Sequence, residues 1–129
     1  MEILLDTQSL LWWAIDPTRL SRKARKTIRD SENLYFGLCS FWELSIKANK
    51  KKHNLPLEAR DLTPLLKAVK SNGATELEIS SDCFFKSTSL PYHHRDPFDR
   101  LIIATAILHR LSIVSSDRDF PKYEVPVIW

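Results

Sequence analysis

A chain of 129 residues, 43% of them hydrophobic and with a net charge of +3, suits one domain with a moderate core and excludes a disordered or strongly charged tail-like protein. Cys39 and Cys83 lie far apart and read as reduced thiols, so neither a disulfide scaffold nor a zinc cluster is implied. The uncharged apolar run Leu101 to Leu108 is far short of the ~20 residues a membrane helix needs, and Met1-Glu2-Ile3 lacks a basic leader, so a single cytoplasmic domain over residues 1–129 without membrane contact is expected.

In chain order, Glu2 to Leu5 reads as a short buried strand. Asp6-Thr7 turns it into a helix carrying Leu10, Leu11 and Trp13, which Pro17 ends. Ser21 caps a second helix whose Ala24 and Ile28 face inward while Arg22, Lys23, Arg25, Lys26 and Arg29 face water. Asn33 leads into a strand over Leu34 to Leu38, and Ser40 is placed to cap a helix with Trp42, Leu44 and Ile46 on its apolar side. Asn49 to Asn54 and Pro56 mark a connector. Thr63-Pro64 starts a helix to about Ser71, stopped by Asn72-Gly73.

Glu76 to Ile79 alternates like a strand, Asp82 to Ser87 reads as a short helix, and residues 90–95 form a loop. Asp96-Pro97 opens the most apolar helix, ending near Arg110. Leu111 to Ser115 then reads as a central strand, Asp117 to Phe120 as a turn, and Val125 to Trp129 as a last strand. Strands alternating with helices imply an α/β fold with a parallel sheet covered on both faces. With only Gly37 and Gly73 there is no glycine-rich phosphate loop, which disfavours nucleoside triphosphates and dinucleotides.

Charge is uneven: residues 1–52 hold ten Lys/Arg against six Asp/Glu, and the remainder nine against ten. The excess in residues 19–29 and in Lys47, Lys50, Lys51 and Lys52 suits contact with a polyanion, although a run of charge is more often a solvated helix face.

Four acids sit where such a fold binds ligands. Asp6 closes the first strand, Glu43 lies just past the second, Asp99 opens the apolar helix and Asp117 follows the central strand. Each also has a structural explanation: Ser40 to Glu43 has capping-box spacing, Asp96-Pro97-Phe98-Asp99 an N-cap, a first-turn proline and a first-turn acid, and Asp6 and Asp117 precede turns. Helix starts and strand ends share one rim of a parallel sheet, so capping and metal ligation are compatible. Carboxylates gathered there would repel one another without a cation, which points to Mg²⁺, with Mn²⁺ as a substitute, and to phosphate chemistry. Thr7, Ser40 and Ser115 supply hydroxyls to orient water beside such an ion.

The stretches Leu4-Leu5-Asp6-Thr7, Ser40-Phe41-Trp42-Glu43, His94-Arg95-Asp96-Pro97-Phe98-Asp99-Arg100 and Ile113-Val114-Ser115-Ser116-Asp117 resemble the PIN domain, and more narrowly the VapC-like ribonuclease toxins of type II toxin–antitoxin pairs. The resemblance runs in order from Ile3 to Trp129. It implies a three-layer fold with a short central parallel sheet flanked by helices, and Asp6, Glu43, Asp99 and Asp117 as catalytic residues around Mg²⁺ or Mn²⁺. Asp96 is then a helix cap beside the ligands, and Asp119 an acid that assists or replaces Asp117.

The implied reaction is metal-assisted endoribonucleolytic hydrolysis, with 5′-phosphate and 3′-hydroxyl products. Arg100, Lys47 and Lys51 are the residues expected to contact the RNA backbone, whereas His93 and His94 are expected mainly to order their loop. Trp12, Trp13 and Trp42 read as core or partner-interface residues in preference to base-stacking ones. The resemblance further implies a homodimer and a cognate antitoxin, with Leu10, Leu11 and the helix around Leu62 to Val69 as candidate groove walls. Alternatives are a non-catalytic RNA- or protein-binding module and a DNA nuclease with the same metal chemistry. Phosphotransfer through Asp6 ranks low, because Gln8 stands where a second acid belongs.

Overall fold

The computed structural model describes residues 1–50 and 61–129. Lys51, Lys52 and most of the expected connector lie outside the described residues. Five strands, β1 (Glu2–Leu5), β2 (Asn33–Gly37), β3 (Ala74–Leu77), β4 (Ser112–Val114) and β5 (Val127–Ile128), form one sheet of order β3-β2-β1-β4-β5. Every pairing is parallel. Among the described residues, six α-helices accompany them: α1 (Thr7–Ile15), α2 (Arg22–Asp30), α3 (Leu38–Ala48), α4 (Thr63–Ser71), α5 (Ser81–Ser89) and α6 (Pro97–His109).

Strand alternation decides which helices cover which face. Ile3, Leu5, Leu34, Phe36, Val114 and Ile128 point to a core closed by Leu10 and Leu11 of α1, Ala24 and Ile28 of α2, Phe41 and Leu44 of α3, and Leu65 and Val69 of α4. Leu4 and Ile113 point the other way, onto Cys83 of α5 and Leu101, Ile102, Ile103 and Ala106 of α6. The result is the expected three-layer α/β arrangement. Ile3, Leu4 and Leu5 are all but inaccessible, so both faces of β1 are covered, as a central parallel strand requires. Each such side chain contributes about 1.5–3 kcal/mol of burial. Cys39 and Cys83 are free and buried. No described helix is long and apolar enough to cross a membrane.

Local signals place most boundaries. Ser21 Oγ accepts from the Ala24 amide at 3.0 Å, capping α2. Asp96 Oδ1 accepts from the Phe98 and Asp99 amides, capping α6 behind Pro97. Gly73 takes φ +103° to leave α4, a conformation strained for any side chain. Two strand expectations shift for a reason sequence does not carry. β3 spans Ala74–Leu77, not residues 76–79, because its partner β2 ends at Gly37, opposite Leu77. β5 keeps only two residues of the expected 125–129, matching the short β4.

The chain crosses outward from β1 through β2 to β3, then returns to place β4 on the other side of β1. The order reverses between β1 and β4, and their carboxyl ends open the crevice where ligands bind in such sheets.

Candidate metal centre at the carboxyl ends of the strands

Asp6 and Asp117 come from that switch point. Asp6 follows β1 and caps α1, its Oδ1 accepting from the Ser9 amide at 2.8 Å. Ser115, just past β4, donates through Oγ to Asp6 Oδ2 at 2.6 Å and accepts from the Asp117 amide at 3.1 Å. One hydroxyl thus ties the two acids together. Asp117 Oδ1 in turn accepts from the Asp119 amide at 2.8 Å. Asp99 arrives from the first turn of α6 and Glu43 from the middle of α3.

Asp6, Glu43, Asp99 and Asp117 line one cavity of about 220 Å³, together with Thr7, Lys47, Asp96 and Ser116. Leu11 and Leu44 supply its apolar wall. Thr7 Oγ1 donates to Ser40 Oγ at 3.0 Å, both buried, which joins the start of α1 to α3 beneath the acids.

Three of the expectations need correction. Ser40 is not an N-cap: α3 begins at Leu38 behind Gly37, and no side chain caps it, so Glu43 is not half of a capping box. Freed from that role, Glu43 is buried, with Oε2 on Lys47 Nζ at 2.8 Å and Oε1 without a hydrogen-bond partner among the described residues. Arg100 does not face the cavity. Its guanidinium donates to the carbonyls of Ser87, Leu90, Pro91 and His94 at 2.7–3.2 Å and lies under the Tyr92 ring. It is therefore an internal clamp on the loop before α6, not a substrate contact. Leu10, Leu65 and Val69 are buried in the core and wall no groove, whereas Leu11 lines the acidic cavity.

His94 takes a larger part than its expected loop-ordering one. Its Nε2 stands 2.8 Å from Asp117 Oδ2 and 3.1 Å from Asp99 Oδ2. The Asp96 amide donates to Nδ1 at 3.1 Å. His94, Asp117 and Asp119 form a group whose candidate ligand atoms all lie within 4.8 Å of one another. Asp119 is also held by Lys122 Nζ at 2.6 Å. The sequence signal for His94 was its place two residues before the Asp96 cap, which brings its ring back over the start of α6.

Electrostatics follow from crowding. Burial, then the charges of Asp96 and Glu43, push the Asp99 carboxyl up to about 7, with His94 acting against them. Asp6 is raised above the ordinary carboxylate range by burial, which outweighs its hydrogen bonds from Ser115 and Ser9. Burial lowers the basicity of His94, but the hydrogen bond to Asp117 and the neighbouring acids outweigh it, so the balance is upward. A second proton on that ring would nonetheless have to displace the Asp96 amide from Nδ1. Lys47 is held protonated by Glu43 despite desolvation. Burial, reinforced by Glu43, raises the Cys39 thiol to about 12, which leaves it unreactive.

A hard divalent cation fits this donor set. The groups are carboxylate oxygens, two of them raised toward neutrality by confinement, and one buried carboxylate oxygen lacks a partner among the described residues. Among the described residues, Lys47 contacts Glu43 and His94 contacts Asp99 and Asp117.

The PIN domain pattern matches residues 3–126. The chain is 31% identical over 125 residues to Ribonuclease VapC22 of Mycobacterium tuberculosis, covering 96% of this chain and 93% of that protein. Its fold is similar to a toxin–antitoxin complex from Klebsiella pneumoniae (TM-score 0.64, 23% identity, 95% and 92% of the two chains). It is also similar to VapBC2 from Rickettsia felis, solved bound to a DNA fragment from its promoter (TM-score 0.64, 14% identity, 98% and 97%).

Proposed function

This chain belongs to the PIN domain family, and on that premise we propose that it is a divalent-metal-dependent endoribonuclease serving as the toxin of a toxin–antitoxin pair. The observation that carries the reading is the meeting of Asp6, Glu43, Asp99 and Asp117 around one cavity at the switch point of the sheet. The ribonuclease name of the Mycobacterium tuberculosis relative supports RNA as the substrate.

Asp6 and Asp99 would hold the principal Mg²⁺ or Mn²⁺, with Glu43 and Asp117 completing the site. When bound, such a cation polarises the phosphoryl oxygen and acidifies water. The chain's own groups do the rest. Ser115 keeps Asp6 and Asp117 in mutual register through its single hydroxyl. Thr7 and Ser40 brace the floor, and Leu11 and Leu44 keep one wall dry. Asp96 holds the start of α6, which fixes where Asp99 projects. Lys47, at the rim and partly exposed, is placed to meet a substrate phosphate as well as Glu43. Lys51, outside the described residues, is retained as a further backbone contact. The whole of residues 1–129 is proposed to act as one domain in the cytoplasm.

RNA and DNA oligonucleotides of the same sequence, incubated in parallel with Mg²⁺, Mn²⁺ or chelator, test the proposal. Cleavage confined to RNA and abolished by chelator is the expected result. Cutting of DNA would move the chain to the alternative nuclease reading, and chelator-resistant cutting would remove the metal.

An antitoxin partner is supported by the complexes among its structural neighbours. A homodimer is implied by the family resemblance. Its candidate surface is the apolar face of α3 and α5, where Leu38, Trp42, Phe84 and Phe85 are exposed at 49%, 60%, 48% and 70%. Trp42 also packs edge-on against Phe98, beside the acidic cavity. Phe84→Glu with Phe85→Glu should convert a dimer sedimenting at twice the chain mass into a monomer. An unchanged sedimentation coefficient would rule this face out.

A further inference from the structure

Among the described residues, His94 is the imidazole that faces the carboxylates, and its hydrogen bonds specify its proton. A backbone N–H only donates, so the Asp96 amide at 3.1 Å requires a bare Nδ1. The neutral ring then carries its proton on Nε2. That N–H is donated to Asp117 Oδ2 at 2.8 Å, and Asp99 Oδ2 lies 3.1 Å from the same nitrogen as a charge contact.

The segment that carries the ring is held from several sides. The His94 amide donates to Tyr123 Oη at 2.8 Å, and Tyr123 Oη donates to the Pro91 carbonyl at 2.7 Å. Arg100 Nη1 holds the carbonyls of Pro91 and His94, and Phe120 packs edge-on against the imidazole at 5.7 Å. The side chain is itself largely enclosed, at 12% exposure. Arg100 and Tyr123 therefore hold the His94 backbone, and Phe120 flanks its ring.

We propose that His94 is a positioning residue that donates its Nε2–H to Asp117, holding that carboxylate beside Asp99 in the orientation that receives the divalent cation, and that it is not itself a ligand. The inference rests on the metal-dependent reading above. Although His94, Asp117 and Asp119 are close enough to suggest a three-residue metal site, Nε2 cannot bind a cation through a lone pair while Nδ1 accepts from the Asp96 amide. Ligation through Nε2 would require either an imidazolate or loss of that bond. Donors behind metal-binding carboxylates typically set affinity by about 10- to 100-fold.

Two measurements test this role. Long-range ¹H–¹⁵N spectra of the parent protein should show Nδ1 bare and Nε2 protonated, before and after Mg²⁺ is added. A bare Nε2 in the Mg²⁺-loaded protein overturns the proposal in favour of ligation. Mn²⁺ titration followed by the electron paramagnetic resonance of the free ion should show His94→Ala binding about 10- to 100-fold more weakly than the parent. His94→Gln, whose amide N–H reaches nearly the same point, should recover most of that loss. At saturating Mn²⁺ the His94→Ala enzyme should regain most of its kcat, because the carboxylates remain. Parent-like Mn²⁺ affinity in folded His94→Ala overturns the inference while leaving the metal reading intact. A parent that binds no Mn²⁺ overturns both. If His94→Ala fails to fold, the spectra of the parent still distinguish donation from ligation.

Discussion

Asp99→Asn should lower metal-dependent RNA cleavage by at least about a thousandfold, close to 4 kcal/mol in the barrier, and should not lower the melting temperature. The two effects have one cause. Asp99 is held beside Asp96, Glu43 and Asp6 in a buried pocket, where a negative charge is costly in the absence of a cation. An amide of the same shape removes the repulsion and, with it, the proposed ligand charge. Activity falls and the fold is relieved, the trade expected where a site is built against stability.

Asp6→Asn should behave alike in cleavage, because its amide oxygen can still accept from the Ser9 amide and cap α1. The new amide nitrogen would face Ser115 Oγ, whose hydroxyl must then turn to accept. Cleavage by either purified variant at the parent rate would show that these carboxylates are not the catalytic set.

The second large effect is on the stability of the metal-free protein. An acid whose pKa rises on folding binds its proton more tightly in the folded state, so stability is lost as pH increases between the unfolded and folded values. For Asp99 that window runs from 3.8 to about 7, and Asp6 shifts in the same direction. The slope contributed by Asp99 alone is about 1.4 kcal/mol per pH unit at pH 5.5 and falls to about half of that at pH 7, or roughly 1–2 kcal/mol in all. The melting temperature in chelator should therefore drop from pH 5.5 to pH 8. Mg²⁺ or Mn²⁺ at about 100 times its dissociation constant should restore about 2.7 kcal/mol at pH 8, with little effect at pH 5, where protons compete for the same oxygens. A metal-free melting temperature that rises steadily through this range would contradict the crowding of the acids. Asp99→Asn in the same titration should flatten the dependence, which assigns it to that residue.

These expectations draw unequally on sequence and structure. Apolar runs of three to five residues between helical patterns place β1, β2 and β4 within a residue of their final limits. The Asp-Pro pair at 96–97 and Ser21 locate two helix starts, because a cap is a local hydrogen bond. β3 and β5 were less legible. The length of a strand depends on its neighbour, and a neighbour in space is not written into the segment itself.

The acidic residues followed the same division. Their types and their places after strands or at helix starts indicated a shared rim, since parallel strands and their returning helices leave the sheet at one end. Capping-box spacing at Ser40 misplaced the start of α3, which lies at Leu38, whereas Glu43 lines the cavity with the other three acids. Arg100 was misread because its place beside the acids in sequence suggested phosphate, whereas the bend of residues 90–94 presents carbonyls that, with that of Ser87, its fork of N–H donors satisfies together.

Sequence by itself determined the layer plan, the candidate acids and their common end of the sheet, because burial periodicity and caps act over a few residues. Tertiary structure alone decided which donors meet those acids: Ser115 across 109 residues of chain to Asp6, and His94 across 23 to Asp117. Such pairings depend on strand order and loop path, which bring distant side chains within hydrogen-bonding reach only once both faces of the sheet are packed.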